Sequence, residues 1–217
     1  MQPGDFFHNS EETPHDSICH ISFHTHLAPY GMLTLTAASA IYIPHAHATG
    51  SSFAPTEVVQ GTPLVLQGSG TRYRAIFKVY DMALYLPRKV QTVEEALQLN
   101  GPVGIQFLAL RDLPGADLGL SFIRGLKNNA TPEQMQRYTL TSNRLIEIFS
   151  GRSKVAPGET FAMEFVPGQG TTFFIHGVQQ GDPVGDDEYF GLILRIWLGD
   201  APADRKLKAS LVPAAAR

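Results

Sequence analysis

"LQGSGTRYRAIFKVYDMALYLP", residues 66–87, decides how this chain folds. A Gly-x-Gly step leads straight into Arg72 and then into a run of aromatic, β-branched and basic residues. A glycine-rich phosphate loop must open onto a helix N-terminus. Here the continuation is "TRYRAIFKVY", which favours strand, so Gly68-Ser69-Gly70 is expected to serve a tight turn or bulge after a short strand at residues 62–67. Along an unbulged strand Arg72, Arg74, Ile76, Lys78 and Tyr80 share one face, and Tyr73, Ala75, Phe77 and Val79 share the other. The second face is apolar enough to lie under helices. The first suits an amphipathic anion, with a guanidinium fork for the charged group and a phenol as second donor. A solvated sheet face with snorkelling Arg and Lys has the same pattern. Periodicity does not choose between them.

Outward from this segment, Thr92-Val93-Glu94-Glu95 is a capping box opening a short helix that Asn100-Gly101 ends. "VGIQFLALR", residues 103–111, is mostly apolar and reads as a central strand. Pro114-Gly115 breaks it, and Leu118, Phe122, Ile123 and Leu126 then recur at helical spacing. Thr131-Pro132-Glu133-Gln134 is a second capping box with Pro at the first helical position, and it opens a helix expected to run to Gly151. "ETFAMEFVP" and "GTTFFIHGV" face each other across Gly168-Gln169-Gly170 as a hairpin. Two helices follow, one after Asp186-Asp187-Glu188, whose carboxylates complement a helix dipole, and one after Pro202. Strands, helices, hairpin, helices: the order predicts an α+β domain with helices packed on one face of an antiparallel sheet. We assign residues 55–212 to that domain and 213–217 to a tail.

The 217 residues suffice for one domain that needs no disulfide or metal staple, and the lone Cys19 cannot build a disulfide framework. Residues 1–71 hold no Lys or Arg and five acidic residues; all 17 basic residues lie from Arg72 onward, against 15 acidic ones. Neither half carries the dense basic stripe of a polyanion binder, so nucleic acid is excluded as a partner.

Residues 1–54 read as a leader. Seven of the eight histidines fall there, and Cys19, His20, His24 and His26 lie close together. Their spacing fits no standard zinc pattern, so no metal site is assigned. An apolar run at residues 33–43 precedes Ala46-His47-Ala48, which has the small-x-small form of a signal-peptidase site, although no basic n-region precedes it. The run is too short to span a bilayer, which needs ~20 residues. The expectation is export, to the periplasm or outside, with cleavage after Ala48.

Other chemistry is sparse. His176 reads as a strand-end residue rather than a base, Trp197 as core, and Asn129-Ala130-Thr131 as a chance sequon. No nucleophile elbow is present, and no cysteine beyond Cys19 is a candidate nucleophile.

Four blocks carry a resemblance: "GSGTRYRAIFKVYDMALYLP", "LRDLPGADLGLSFIRGLKNN", "FVPGQGTTFFIHGVQQGDPV" and "YFGLILRIWLGDAP". Together and in this order they resemble the bacterial chalcone-isomerase-like proteins. The resemblance implies an open-faced β-sandwich with a ligand cleft between sheet and helices. Plant members close a hydroxychalcone to a flavanone by adding a phenolate to an enone, and other relatives bind fatty acids. The arginine common to both matches Arg72, where it would hold a phenolate and developing enolate or grip a carboxylate. The next polar position, threonine in the isomerases, matches Tyr80, across a segment four residues shorter than in the plant enzymes. Arginine with tyrosine is similar to the fatty-acid-binding pattern. A catalytic tyrosine of the plant enzymes matches Leu118, so a donor that would polarise the ketone is missing.

The first expectation is therefore a monomeric binding module for a fatty-acid-like carboxylate, headed by Arg72 and Tyr80, with Ile76, Leu118 and Phe122 along the chain. No cofactor is assigned. The second is an intramolecular lyase on a phenolic enone with Arg72 as electrostatic catalyst, needing a further donor such as Arg111 or Asn128. The third is a structural or interaction role, with Arg72 paired to a carboxylate such as Asp112 and no cavity beside it.

Overall fold

The computed structural model describes residues 53–213. The leader, its histidine cluster and the expected cleavage point after Ala48 lie outside the described residues, as does most of the tail. In chain order the elements are β1 (Thr56–Val59), β2 (Thr62–Arg74), β3 (Phe77–Leu86), α1 (Val93–Gln98), β4 (Val103–Ala109), β5 (Leu113–Pro114) and α2 (Gly115–Asn129). Then follow α3 (Pro132–Arg137), α4 (Thr139–Ser150), β6 (Lys154–Val155), β7 (Thr160–Val166), β8 (Gly170–Ile175), β9 (Val178–Gln179), α5 (Asp187–Leu198) and α6 (Arg205–Leu211). Seven strands form one antiparallel sheet in the order β1-β2-β3-β4-β7-β8-β9, and β5 pairs with β6 apart from it. β4 lies at its centre, as its apolar sequence requires. The sheet curls so far that Glu57 on β1 accepts a 2.7 Å hydrogen bond from Gln106 Nε2 on β4, three strands away. The result is an α+β half-barrel with helices on one face.

Alternation sets that face. Met82, Leu84, Ile105, Phe107, Met163 and Ile175 point into the main core with Leu126, Leu145, Ile193 and Leu207 from the helices. The opposite, concave side holds a small cluster of Val59, Leu64, Ala83 and Tyr85.

Residues 62–86 are not a short strand, a turn and a longer strand. β2 runs unbroken through Gly68-Ser69-Gly70 to Arg74, the chain reverses at Ala75-Ile76, and β3 returns. A bulge lies between Leu66 and Gly68, so only the bulge half of the glycine expectation describes this stretch. Gly68 and Gly70 pair with Leu84 and Met82, both core residues, and so face the helices. A Cβ on Gly68 would sit 2.4 Å from the Ser210 and Leu211 carbonyl oxygens, and one on Gly70 would sit 2.8 Å from Ser210 Cβ. The glycines let α6 lie directly on the strand.

The helix expected from residue 132 to 150 is two helices. The capping box forms as read, with Thr131 Oγ1 accepting from Gln134 N and Gln134 Oε1 accepting from Thr131 N. The break falls at Tyr138, whose hydroxyl donates to Asp186 at 2.8 Å and also lies 3.0 Å from Glu188 Oε2, at the start of α5. Asp186 caps α5 by accepting from Tyr189 N at 2.9 Å. The β1–β2 hairpin had no counterpart in the sequence reading; its turn, Gln60-Gly61, puts both residues at positive φ.

Candidate functional site

Arg72 stands opposite Tyr80 across β2 and β3, and the register shifts at the next residue. The helix-facing positions of β2 are therefore Gly68, Gly70 and Arg72. α6 covers the two glycines, and its capping residue Asp204 accepts from Tyr73 N at 2.9 Å and from Lys206 N at 2.7 Å. That fixes the start of α6 beside Arg72. Past this point the helical cover gives way to a cleft. The glycine step into an arginine is a strand passing from beneath a close-packed helix to the mouth of a cavity.

The cleft has a volume of about 280 Å³ and lies between the sheet, α2, α5 and the α5–α6 loop. Its floor is aromatic: Phe107 and Phe161 stack at 4.4 Å, Tyr80 meets Phe107 edge-on at 5.2 Å, and Trp197 lies 5.4 Å from Phe107. Phe122, Phe149 and Met163 complete the apolar wall. Three guanidinium groups, Arg72, Arg74 and Arg124, line it, and among the described residues no acidic side chain does. The α5–α6 loop is tied down by Asn129, which donates to Ala201 O at 3.0 Å and accepts from Ala201 N at 3.1 Å.

Two polar groups in the cleft are set up for a ligand. Arg72 Nε is buried with no hydrogen-bond partner, and Arg72 is in no ion pair among the described residues. Its Cζ lies 5.4 Å from the centre of the Tyr80 ring. Tyr80 Oη accepts from Trp197 Nε1 at 2.9 Å, which leaves its own proton free to donate. Burial pushes the Tyr80 phenol up, against the opposing pull of the Arg72 guanidinium and the Trp197 donor, so it stays protonated at neutral pH. The pair offers N–H and O–H donors on an apolar floor, which is the chemistry of an anion clamp.

Of the residues the sequence singled out, Arg72, Tyr80, Leu118, Phe122 and Asn128 line the cleft. Arg111 lines an adjoining hollow of about 150 Å³ that shares Arg72, Arg74, Leu118 and Ser121 with it. Ile76 lines neither: it sits in the hairpin turn, out in solvent. The period-two argument failed there because the strand ends at Arg74. Asp112 pairs with Lys154 at 2.8 Å rather than with Arg72. Trp197 is core, as read, but its indole N–H also orients Tyr80; a buried indole needs an acceptor, which was the available signal. Arg124 was missed because it lies one helical step off the apolar stripe of α2.

His176 is at the end of β8, paired with Glu159 at 3.0 Å. The sequon residue Asn129 spends its amide on Gly125 O and Ala201 O. Among the described residues no group of three or more His, Cys, Asp or Glu could hold a metal ion, and no helix is long and apolar enough to cross a membrane.

A groove of about 510 Å³ on the concave side is lined by Glu57, Gln106 and Glu164. Burial raises the Glu57 carboxyl, with the Gln106 hydrogen bond opposing, and burial then the Glu57 charge raise Glu164. Such a groove repels a carboxylate. The folded state holds the Glu57 proton more tightly than the unfolded chain does. Its contribution to stability is therefore complete below the ordinary glutamate value of 4.5 and is lost as pH rises through the elevated folded value. Glu57→Gln keeps an oxygen for Gln106 and removes the charge. The variant should melt above the wild type at pH 7 and together with it at pH 4, as thermal melts at the two pH values will report.

The family model described as chalcone isomerase-like matches residues 45–212. No curated protein matches the sequence. Among solved structures, a fatty-acid binding protein of Arabidopsis thaliana superposes with a TM-score of 0.61 at 14% identity, covering 77% of this chain and 94% of that one. At that identity the likeness shows the fold alone.

Proposed function

Because the chain belongs to the chalcone isomerase-like family, we propose that it binds a small amphipathic anion, a fatty acid or similar carboxylate, in the cleft headed by Arg72 and Tyr80. The observation that carries this reading is the buried, unpartnered Nε of Arg72 at the edge of an aromatic cavity. A desolvated donor without a partner is costly, and a bound carboxylate removes that cost. The guanidinium takes the carboxylate through parallel N–H donors, and the free Tyr80 proton supplies another. The hydrocarbon lies against Phe107, Phe122, Phe161 and Leu118, where its burial contributes about 0.8 kcal/mol per methylene. That the structural neighbour is named as a fatty-acid binding protein supports the same ligand class.

Leu118 favours binding over turnover. It brings a hydrocarbon to the position where the resemblance expects a phenol, and a lost donor of that kind costs ~10² or more in rate. The proposed setting is outside the cytoplasm, from the signal-like residues 33–48.

Calorimetric titration of the full chain with dodecanoate and with its methyl ester tests the reading. The clamp recognises charge, so dodecanoate should bind at least ~10-fold tighter, the value of one charge-assisted hydrogen bond. Equal affinity for acid and ester would assign the cleft to hydrocarbon alone.

A further inference from the structure

The β2–β3 hairpin that supplies Arg72 ends in a tip unlike an ordinary hairpin turn. Arg74 pairs with Phe77, so the turn consists of Ala75 and Ile76 alone. Ala75 has φ +53°, the left-handed region that two-residue turns normally fill with Gly, Asn or Asp. Neither turn residue is polar. Ile76 is 84% exposed, Phe77 58% and Tyr73 41%, three large apolar side chains on one projection. Single exposed apolar residues are ordinary; several together on a protruding tip mark a contact surface.

Cations surround the tip. Arg74 and Lys78 flank it in sequence, and Arg111 lies with its guanidinium 5.5 Å from the Phe77 ring centre. On the other side Arg205 and Lys206 border a shallow hollow with Tyr73 and Ala75. None of these five is in an ion pair among the described residues. The facing acids are engaged: Asp204 accepts from the backbone N–H groups of Tyr73, Lys206 and Leu207, and Asp112 holds Lys154. Asp117 borders the hollow beside Arg111 and is a further negative group at the rim.

We propose that the tip formed by Ala75, Ile76 and Phe77 docks on an anionic phospholipid bilayer, with the surrounding Arg and Lys on the headgroups. Apolar residues buried to the depth of the acyl boundary inside a basic ring are the combination that holds a protein at a membrane surface. The position gives docking its use. Arg72, Tyr73 and Arg74 lead from the tip into the cleft wall, so a ligand crossing between bilayer and cleft stays out of bulk water. That purpose rests on the proposed ligand class; the docking geometry does not.

The test is co-sedimentation of the full chain with phosphatidylglycerol–phosphatidylcholine vesicles and with phosphatidylcholine vesicles, at low and high salt. The wild type is expected on the anionic vesicles and to leave them as salt rises. Ile76→Asp should lower vesicle affinity by about 10-fold or more, the loss expected for one buried apolar side chain. Lys78→Glu should lower it on anionic vesicles only. Neither side chain lines the cleft, so dodecanoate affinity and the melting temperature should match the wild type. Wild-type binding without any fatty-acid binding would count against the ligand reading and still support docking. Two results overturn docking: no binding to anionic vesicles, as a tip made for a second copy or another protein would give, or binding that Ile76→Asp leaves unchanged.

Discussion

Arg72→Ala is expected to weaken dodecanoate binding by about 100-fold or more while leaving the empty protein's stability within about 1 kcal/mol of wild type. The first half follows from the clamp. Hydrogen bonds to a charged partner contribute about 1.5–3 kcal/mol each, and a guanidinium fork supplies two, so losing the fork crosses the ~2.7 kcal/mol that corresponds to 100-fold. The second half follows from what Arg72 does not do. It is in no ion pair among the described residues, its buried Nε has no hydrogen-bond partner to lose, and its contact with the Tyr80 ring is worth about 0.5–1 kcal/mol. A structural arginine behaves in the opposite way, because removing one member of a buried pair strands the other charge. Titration and denaturant melts on the same preparation separate the two. A large loss of stability with unchanged affinity would return Arg72 to a structural role.

Gly68→Ala is expected to cost about 2–4 kcal/mol of stability, a large share of a domain's total. The added methyl would lie 2.4 Å from two backbone carbonyl oxygens of α6, and backbone cannot rotate aside as a side chain can. The helix must lift. Leu207 and Leu211, both essentially fully buried, then lose part of their packing, and complete burial of such a side chain contributes about 1.5–3 kcal/mol. The displacement also reaches the cleft, because Asp204 at the other end of α6 holds Tyr73 N. Ligand affinity should fall with stability in this variant, unlike in Arg72→Ala. Chemical denaturation gives the first number and titration the second.

Much of this fold is written in local signals. The N-cap at Thr92, where Glu95 turns back to Gln91 N and leaves the box half-formed, the capping box at Thr131, the Gly168–Gly170 hairpin, the apolar run of β4 and the acidic start of α5 are short-range patterns at the places the residues mark. The misreadings occur where a long-range contact or an unusual turn decides the outcome. Residues 71–80 have continuous strand character, and nothing at Ala75-Ile76 announces a reversal, since neither residue is Gly, Asn, Asp or Pro. The pattern therefore predicts one strand where two pair. Arg72 and Tyr80 share a face under either reading, once by even spacing and once by direct cross-strand pairing past a bulge; Ile76 does not. The Gly68–Gly70 pair reads as a turn because the helix that needs its flatness lies about 140 residues further along the chain. Tyr138 ends a helix through carboxylates on α5, about 50 residues away. In the cleft, Arg72 is legible in the pattern, but the Trp197 hydrogen bond that frees the Tyr80 proton needs three dimensions.

An amphipathic carboxylate is the ligand proposed for the Arg72 cleft. Native mass spectrometry of the gently purified full chain, beside Arg72→Ala and after incubation of both with dodecanoate, tests it most directly. A bound mass is expected on the wild type, identifiable as a fatty acid or similar carboxylate, and none on the variant. Equal adducts on the two proteins, or a wild type that stays empty, would contradict it.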